Sequence, residues 1–145
     1  MISIIVPTMW RFEPFADFAL QLTKLDIVGE LIIVNNDSKA TPNHALLKHP
    51  KVKIFDFNRN IYVNPAWNLG AQVAKHDILC FLNDDLIFDL RVLYKVLDFI
   101  NPNIGAIGLS NGLVDQGQTP LTTGEIEFEP FKGQVCFGFG ELMFI

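Results

Sequence analysis

Two adjacent carboxylates, Asp84 and Asp85, follow an apolar run that extends from Ile78 to Leu82. Such a run is typical of a strand buried on both faces, and unpaired acids at its end repel each other unless a cation is near. Divalent ions prefer hard oxygen ligands of this kind, so the pair is a candidate metal site. The alternative is that Asp85 and Asp89 cap the following helix, and the pair alone does not decide between these interpretations.

The residues that follow the other apolar runs favour a ligand site. In open parallel sheets, ligands bind beyond the carboxyl ends of the strands. One polar turn is ordinary loop chemistry, whereas four at one edge of a sheet favour a site for a polar ligand. The residues concerned are Pro7 and Thr8 after the first run, Asn35, Asn36, Asp37 and Ser38 after the second, Asn58, Arg59 and Asn60 after the third, and Asn83, Asp84 and Asp85 after the fourth.

The chain lacks the common glycine-rich phosphate loops. No Gly-x-Gly-x-x-Gly follows the first run, and no Gly-x-x-x-x-Gly-Lys-Ser/Thr occurs. A metal on Asp85, with Asp84 as second ligand or outer-shell partner, would bridge two phosphate oxygens and stabilise a departing diphosphate. Arg59 is a candidate cation beside it, and a plain surface side chain is the alternative.

Other residues with chemical potential favour structural interpretations. The three histidines have neither the spacing of metal ligands nor that of a nucleophile's base, and they are His44, His49 and His76. Trp67 is expected to pack in the core. For Trp10, beside Thr8, core packing and stacking on a ligand ring both remain open.

The elements that position these residues follow from the hydrophobic pattern. Apolar runs alternate with segments of helical periodicity, which predicts an α/β class with a parallel sheet. The runs are Ile2–Val6, Leu31–Val34, Val52–Phe55, Ile78–Leu82 and Ile104–Leu109. Helices are predicted after Pro14, from Asn64-Pro65 with Asn64 as N-cap, and from near Asp89. Gly29 is expected to turn the chain into the second strand.

Composition limits the class of protein. The chain has 145 residues, half of them apolar, which suits one compact domain. A net charge of −5 without clustered Lys or Arg argues against nucleic acid as a partner. Cys80 and Cys136 are interpreted as reduced, which predicts an intracellular, cytoplasmic protein. No segment reads as a signal peptide or a membrane span.

Taken together, five segments resemble the nucleotide-sugar-binding half of family-2 glycosyltransferases with the GT-A fold. They are Ile4–Thr8 (opening strand), Leu31–Ser38 (second strand and base-binding loop), Asn58–Ala71 (Asn-rich loop and helix), Phe81–Asp85 (metal-binding Asp-x-Asp motif) and Gly138–Ile145 (first strand of the acceptor half). The resemblance implies a Rossmann-like, mainly parallel sheet sandwiched by helices. It also implies a single domain over residues 1–145, with residues 110–145 the start of an incomplete acceptor-side region.

The resemblance implies a nucleoside-diphosphate sugar as donor and a glycan, lipid or protein hydroxyl as acceptor. Donor-binding positions would be Pro7, Thr8, Asn35, Asn36, Asp37, Arg59, Asn60, Asn68, Asn83 and Asp84. Asp85 and Asp84 would hold Mn2+ or Mg2+. The chain departs from the family at two places. Asn35 and Asn36 stand where an acid is common, and an amide can still accept a hydrogen bond but carries no charge. Asn83 replaces the first acid of Asp-x-Asp, and the loss of this carboxylate should weaken metal affinity.

The resemblance further implies an inverting transfer whose catalytic base lies in the acceptor half. The chain stops before that position, so the base stays unassigned, and Glu125, Glu127 and Glu129 read as a solvated strand face. The apolar Leu142–Ile145 predicts that the domain continues further or pairs with a partner, a second copy included. Alternative functions are a non-catalytic nucleotide-sugar-binding module and a metal-dependent nucleotidyltransferase.

Overall fold

A computed structural model of the protein describes residues 1–37, 39–40, 44–102, 104–108 and 142–145. The α/β class predicted from the alternating pattern is confirmed. The elements in chain order are β1 (Ile2–Thr8), α1 (Phe15–Lys24), β2 (Val28–Asn35), α2 (His44–Lys48), β3 (Val52–Asp56), α3 (Val63–Val73), β4 (Ile78–Leu82), α4 (Arg91–Phe99), β5 (Ile107–Gly108) and β6 (Leu142–Phe144).

The strands form one sheet in the order β3-β2-β1-β4-β6-β5. The first four strands are parallel, and β6 runs antiparallel to both β4 and β5. The chain therefore builds outward from β1 through β2 to β3 and then crosses to place β4 on the other side of β1. The strand order therefore reverses between β1 and β4. Open α/β sheets bind ligands at such a switch point, beyond the carboxyl ends of the two strands.

Side chains of the central strands alternate between two cores, as strand geometry requires. Ile4 and Val6 of β1 pack with α1, α2 and α4, whereas Ile5 packs on the opposite face with α3. The predicted apolar stripe of α1 is confirmed, since its four members are buried: Phe15, Phe18, Ala19 and Leu22. The sheet is thus covered by helices on both faces.

Two predictions about local turns are wrong. Gly29 lies within β2, and a Cβ there would come within 1.9 Å of Nε2 of His76, so the glycine leaves room for that ring. Helix α3 begins at Val63, and its N-cap is Tyr62 without a side-chain cap. Asn64 is therefore inside the helix. Pro65 is tolerated as the third helical residue because the first N–H groups of a helix have no partner within the helix.

The described part of the C-terminal apolar segment is used inside the sheet. Leu142 and Phe144 are almost fully buried, and β6 pairs with both of its neighbours. These two side chains pack within the sheet, whereas Ile145 is exposed, and association of this segment with a second copy stays a prediction. Glu125, Glu127, Glu129 and residues 138–141 lie outside the described residues.

Cys80 is a free, fully buried thiol, and burial raises its pKa well above the ordinary value. A buried protonated thiol behaves as a small apolar side chain, which agrees with the interpretation of Cys80 as reduced. Cys136 lies outside the described residues. Among the helices of the described ranges, none is both long enough and apolar enough to cross a membrane.

Gly70 sets the distance between α3 and the sheet, and we expect Gly70→Ala to cost about 2 kcal/mol of unfolding free energy. A Cβ at position 70 would lie 2.2 Å from Cγ2 of Ile5, a fully buried strand residue. Gly29→Ala is the matched control, because the half-buried His76 ring can rotate away from it. Urea denaturation measures the unfolding free energy of both variants. A loss of unfolding free energy in Gly29→Ala that equals or exceeds the loss in Gly70→Ala would contradict this prediction.

Candidate functional site

The site lies where β1 and β4 separate. Their pairing ends at Ile5 and Phe81, while β1 continues to Thr8 with β2 alone as its neighbour. Pro7 falls in this continuation, where its missing N–H costs no hydrogen bond to β4. The predicted position of Pro7 at the ligand edge is thus a buried strand position that helps open the crevice.

Thr8 and Asp84 face each other across this crevice. The Thr8 hydroxyl donates to Oδ2 of Asp84 at 2.5 Å, and the N–H of Met9 donates to the same oxygen at 3.3 Å. Within the described ranges, Oδ1 of Asp84 has no hydrogen-bond partner. One carboxylate oxygen is therefore held by the protein while the other is open to a ligand, which orients the group before anything binds.

Further hydrogen bonds extend this contact across the sheet edge. The backbone N–H of Trp10 donates to Oγ1 of Thr8 at 2.8 Å, and its indole N–H donates to Oδ1 of Asn35 at 3.0 Å. The amide of Asn35 donates in turn to Oδ2 of Asp56 at 3.1 Å. Asp56, Asn35, Trp10, Thr8 and Asp84 thus form a strand-end hydrogen-bond chain that follows the spatial order β3, β2, β1, β4.

Asn35 and Asn36, at the end of β2 and directly after it, have defined structural tasks. Asn35 is fully buried, and its Oδ1 also accepts the N–H of Asp37 at 3.0 Å, so both ends of the amide have protein partners. A carboxylate at this position would face Asp56 with like charge, whereas the amide donates to it. Asn36 accepts the N–H of Ile61 at 3.1 Å and ties the loop after β3 to the end of β2.

The loop after β3 is held in an unusual conformation. Asn58 and Tyr62 have φ angles of 53° and 65°, in the left-handed region that favours glycine. Local hydrogen bonds hold both, because Asp56 accepts the N–H of Asn58 at 2.9 Å and Asn60 accepts that of Tyr62 at 2.7 Å. Arg59, between them, is exposed and has no ion-pair partner in the described part of the chain.

The acids after β4 divide into different tasks. Asp89 accepts the backbone N–H of Arg91 at 2.9 Å and forms an ion pair with the Arg91 guanidinium. The hydrogen bond from the guanidinium holds the pKa of Asp89 below its usual range. Asp89 therefore contributes to the start of α4. Asp85 is exposed, and the described ranges contain no hydrogen bond or ion pair to its carboxylate. The N-cap of α4 is Leu90, which has no side-chain cap, so neither Asp85 nor Asp89 caps the helix and Asp85 stays available to a ligand.

The donor set suits a cation that brings further ligands with it. No group of three or more His, Cys, Asp or Glu that could hold a metal occurs among the described residues. What the edge offers is the open oxygen of Asp84 and the carboxylate of Asp85. Two carboxylates with remaining positions filled by water and phosphate oxygens are a common environment for Mg2+, so these residues fit a cation that binds together with a phosphate ligand.

Sequence reasoning placed most of these residues at one edge but missed two links. Asp56 and the indole N–H of Trp10 were not predicted as site components, although the position of Asp56 as the last residue of a strand was a usable signal. Of the other predicted positions, Asn60 and Asn68 are exposed, and Asn83 is half-buried. Asn68 lies on α3 and makes no hydrogen bond to the strand-end hydrogen-bond chain among the described residues.

Both tryptophans have structural surroundings. Trp10 packs on Phe15 with ring centroids 5.6 Å apart, and Trp67 packs edge-on against Phe81 at 5.6 Å. The expectation of core packing for Trp67 is confirmed. For Trp10, the ring packing and the hydrogen bond to Asn35 show a structural role.

Solved structures share this fold. The mannosyltransferase PcManGT from Pyrobaculum calidifontis, in complex with GDP-Man and Mn2+, aligns with a TM-score of 0.60 and 19% identity over 75% of this chain and 35% of that one. S. aureus TarS (1-349) aligns with a TM-score of 0.56 and 20% identity over 68% of this chain and 32% of that one. The chain thus spans about a third of the length of these neighbours. At such identities the likeness concerns the fold alone.

A search of curated proteins found no significant match. The family model described as Glycosyl transferase family 2 matches residues 3–135, which include β1 from Ser3 onward, the strands β2 to β5 and the whole strand-end hydrogen-bond chain. The order of elements, the polar strand ends and this match agree, and the chain therefore belongs to glycosyl transferase family 2.

Proposed function

We propose that the chain binds a nucleoside-diphosphate sugar at the carboxyl edge of the sheet with Mn2+ or Mg2+, and serves inverting transfer of the sugar to an acceptor hydroxyl. The observation that carries this proposal is the pre-oriented carboxylate of Asp84, with one oxygen held by Thr8 and the other open beside the exposed Asp85. Such an arrangement favours a cation and, through it, a phosphate.

Charge at the edge explains why a cation is needed. Asp37, Asp56, Asp84 and Asp85 all lie there, and Arg59 is the cation that the loop after β3 places at this edge. A diphosphate would be repelled by these acids unless a divalent ion lay between them. When bound, the ion would stabilise the negative charge that develops on the departing diphosphate.

The chain's own residues divide the remaining work. Asp84 and Asp85 hold the cation, and the Arg59 guanidinium is free to contact a phosphate oxygen. Asp37 and the exposed Asn60 offer polar contacts to the nucleoside. Asn35 acts indirectly, since its amide is bonded to Trp10 and Asp56. A nucleotide sugar with a divalent ion is also what the neighbouring mannosyltransferase structure contains.

In the transfer step, the acceptor oxygen attacks the anomeric carbon, the bond from that carbon to the diphosphate breaks, and a carboxylate takes the hydroxyl proton. That base and the acceptor, whether glycan, lipid or protein, belong to parts of the site beyond those described. We propose that residues 110–145 begin this acceptor side of a single domain.

The second candidate function is a binding module that holds the donor and needs a partner chain for transfer. The observation that favours it is that the groups assigned to the donor, Asp84 held by Thr8 and the exposed Asp85, all lie within the described residues. A nucleotidyltransferase has less support, since it would want a basic loop after β1 and that loop offers only Arg11.

Calorimetric titration with uridine, guanosine and thymidine diphosphates, with and without Mn2+, tests the proposed function. We expect at least one nucleotide to bind, and only when the metal is present. Absence of metal-dependent binding to all three would contradict both candidates. Donor binding without sugar release or transfer would favour the module over the enzyme.

A further inference from the structure

We propose that Trp10 is a positioning residue: through its two N–H groups it directs the Thr8 hydroxyl at Asp84 and so determines which carboxylate oxygen faces the ligand. This inference rests on the proposed function, because it assigns Trp10 a part in donor binding. Trp10 itself is not required to touch the donor.

Two hydrogen bonds fix the direction of the Thr8 hydroxyl proton. Oγ1 of Thr8 has a single proton, and it accepts the backbone N–H of Trp10 at 2.8 Å. With that lone pair engaged, the hydroxyl proton is directed to Oδ2 of Asp84, 2.5 Å away. Thr8 is 2% exposed, so water does not compete for this proton. The Trp10 N–H therefore decides which way the Thr8 hydroxyl points.

The backbone N–H of Trp10 is held in place by the side chain of the same residue. Trp10 has a φ of 56°, a conformation that a residue with a Cβ adopts at a cost. Two side-chain contacts offset this cost, namely the packing of the ring on Phe15 and the indole hydrogen bond to Asn35 at 3.0 Å. Asn35 is itself fixed by Asp56, so the indole is anchored to a rigid group on β2.

Removing the indole N–H of Trp10 should therefore loosen the orientation of the Asp84 carboxylate, although the two side chains are not in contact through that N–H. Trp10→Phe keeps an aromatic ring against Phe15 but loses the bond to Asn35. The backbone is then free to leave the left-handed region, its N–H moves away from Thr8, and the Asp84 carboxylate samples other orientations. A ligand would have to restrict it again on binding.

The test compares two variants that each remove one indole N–H from a chain with only two tryptophans. Trp67→Phe is the matched control, because the Trp67 indole N–H is buried without a partner in the described ranges. We expect Trp10→Phe to raise the Kd for the nucleotide in the presence of Mn2+ about tenfold. Trp67→Phe should stay within about twofold of the wild type. Thermal denaturation checks that both variants fold.

A double variant separates positioning from general loosening. If Trp10 acts through Thr8, Thr8→Val should weaken binding by itself, and adding Trp10→Phe should change the Kd by less than about twofold. Effects that multiply would overturn the proposal. So would a Trp10→Phe variant that binds like the wild type while the wild type shows metal-dependent binding.

A measurement without ligand keeps this inference separate from the proposed function. Three-bond couplings in NMR spectra report the χ1 rotamer of Thr8. We expect one rotamer in the wild type and in Trp67→Phe, and averaging among rotamers in Trp10→Phe. A single Thr8 rotamer in all three proteins would overturn the proposal, whatever nucleotide binding shows.

Discussion

Asp85→Asn is expected to raise the Kd for nucleoside diphosphate in the presence of Mn2+ by about 100-fold or more, which corresponds to about 2.7 kcal/mol. The amide keeps the size of the side chain but removes the charge that offsets the cation. Because the Asp85 carboxylate is exposed and makes no described bond within the chain, its loss should leave the free energy of unfolding within about 0.5 kcal/mol.

The matched control is Asp77→Asn, which makes the same chemical change at the opposite end of β4. Asp77 is exposed and precedes the first residue of that strand. Calorimetry should show an unchanged Kd for this variant. If both variants lost affinity equally, a general effect of net charge would explain the result and the assignment of Asp85 to a metal would be wrong.

The largest expected loss of stability comes from Glu30→Ala, at about 3 kcal/mol. Glu30 is 3% exposed at the amino end of the sheet. Its carboxylate accepts Lys53 Nζ at 2.6 Å, the Ser3 hydroxyl at 2.7 Å and the backbone N–H of Lys75 at 2.5 Å. These bonds join three strands to the turn after α3, and removing the acceptor leaves the buried Ser3 hydroxyl and the half-buried Lys53 ammonium without it.

The pH dependence of this loss follows from the pKa of Glu30. Burial works to raise that pKa, but the hydrogen bonds from Lys53, Lys75 and Ser3 outweigh it and hold the pKa below its ordinary value. The contribution of Glu30 to stability is therefore complete above its unfolded pKa of about 4.3, and it is lost as the pH falls through the lower folded value.

Urea denaturation at pH 7 and at about pH 3 measures this dependence. We expect the difference in unfolding free energy between the wild type and Glu30→Ala to narrow in acid. Glu13→Ala is the control, since Glu13 is exposed, and its effect should stay within about 0.5 kcal/mol. A difference that stayed constant or widened in acid would show that the charge of Glu30 is not what stabilises the fold.

Local pattern was sufficient to predict the elements of this protein. The stripe from Phe15 to Leu22 and the apolar runs that became β1 to β4 depend on periodicities of a few residues, which the sequence displays directly. The common edge of the polar strand ends followed as well, because parallel strands place their carboxyl ends together.

Local pattern failed where a side chain's environment comes from another element. Gly29 looked like a turn residue, yet its task is to leave space for His76, which is far along the chain. The apolar Leu142–Phe144 did not show in the sequence what it packs against, and the structure pairs it with β4 and β5. In each case the sequence shows the residue type but not its neighbour.

The sequence by itself determined that this is an α/β chain with acids and amides at one sheet edge. Only the tertiary structure decided how those groups pair. Thr8 and Asp84 are 76 positions apart, and Asn35 and Asp56 are 21 apart, so their contacts depend on the strand order β3-β2-β1-β4. Strand order results from how the helices pack on the two faces, which no short-range periodicity encodes, and it left one oxygen of Asp84 open.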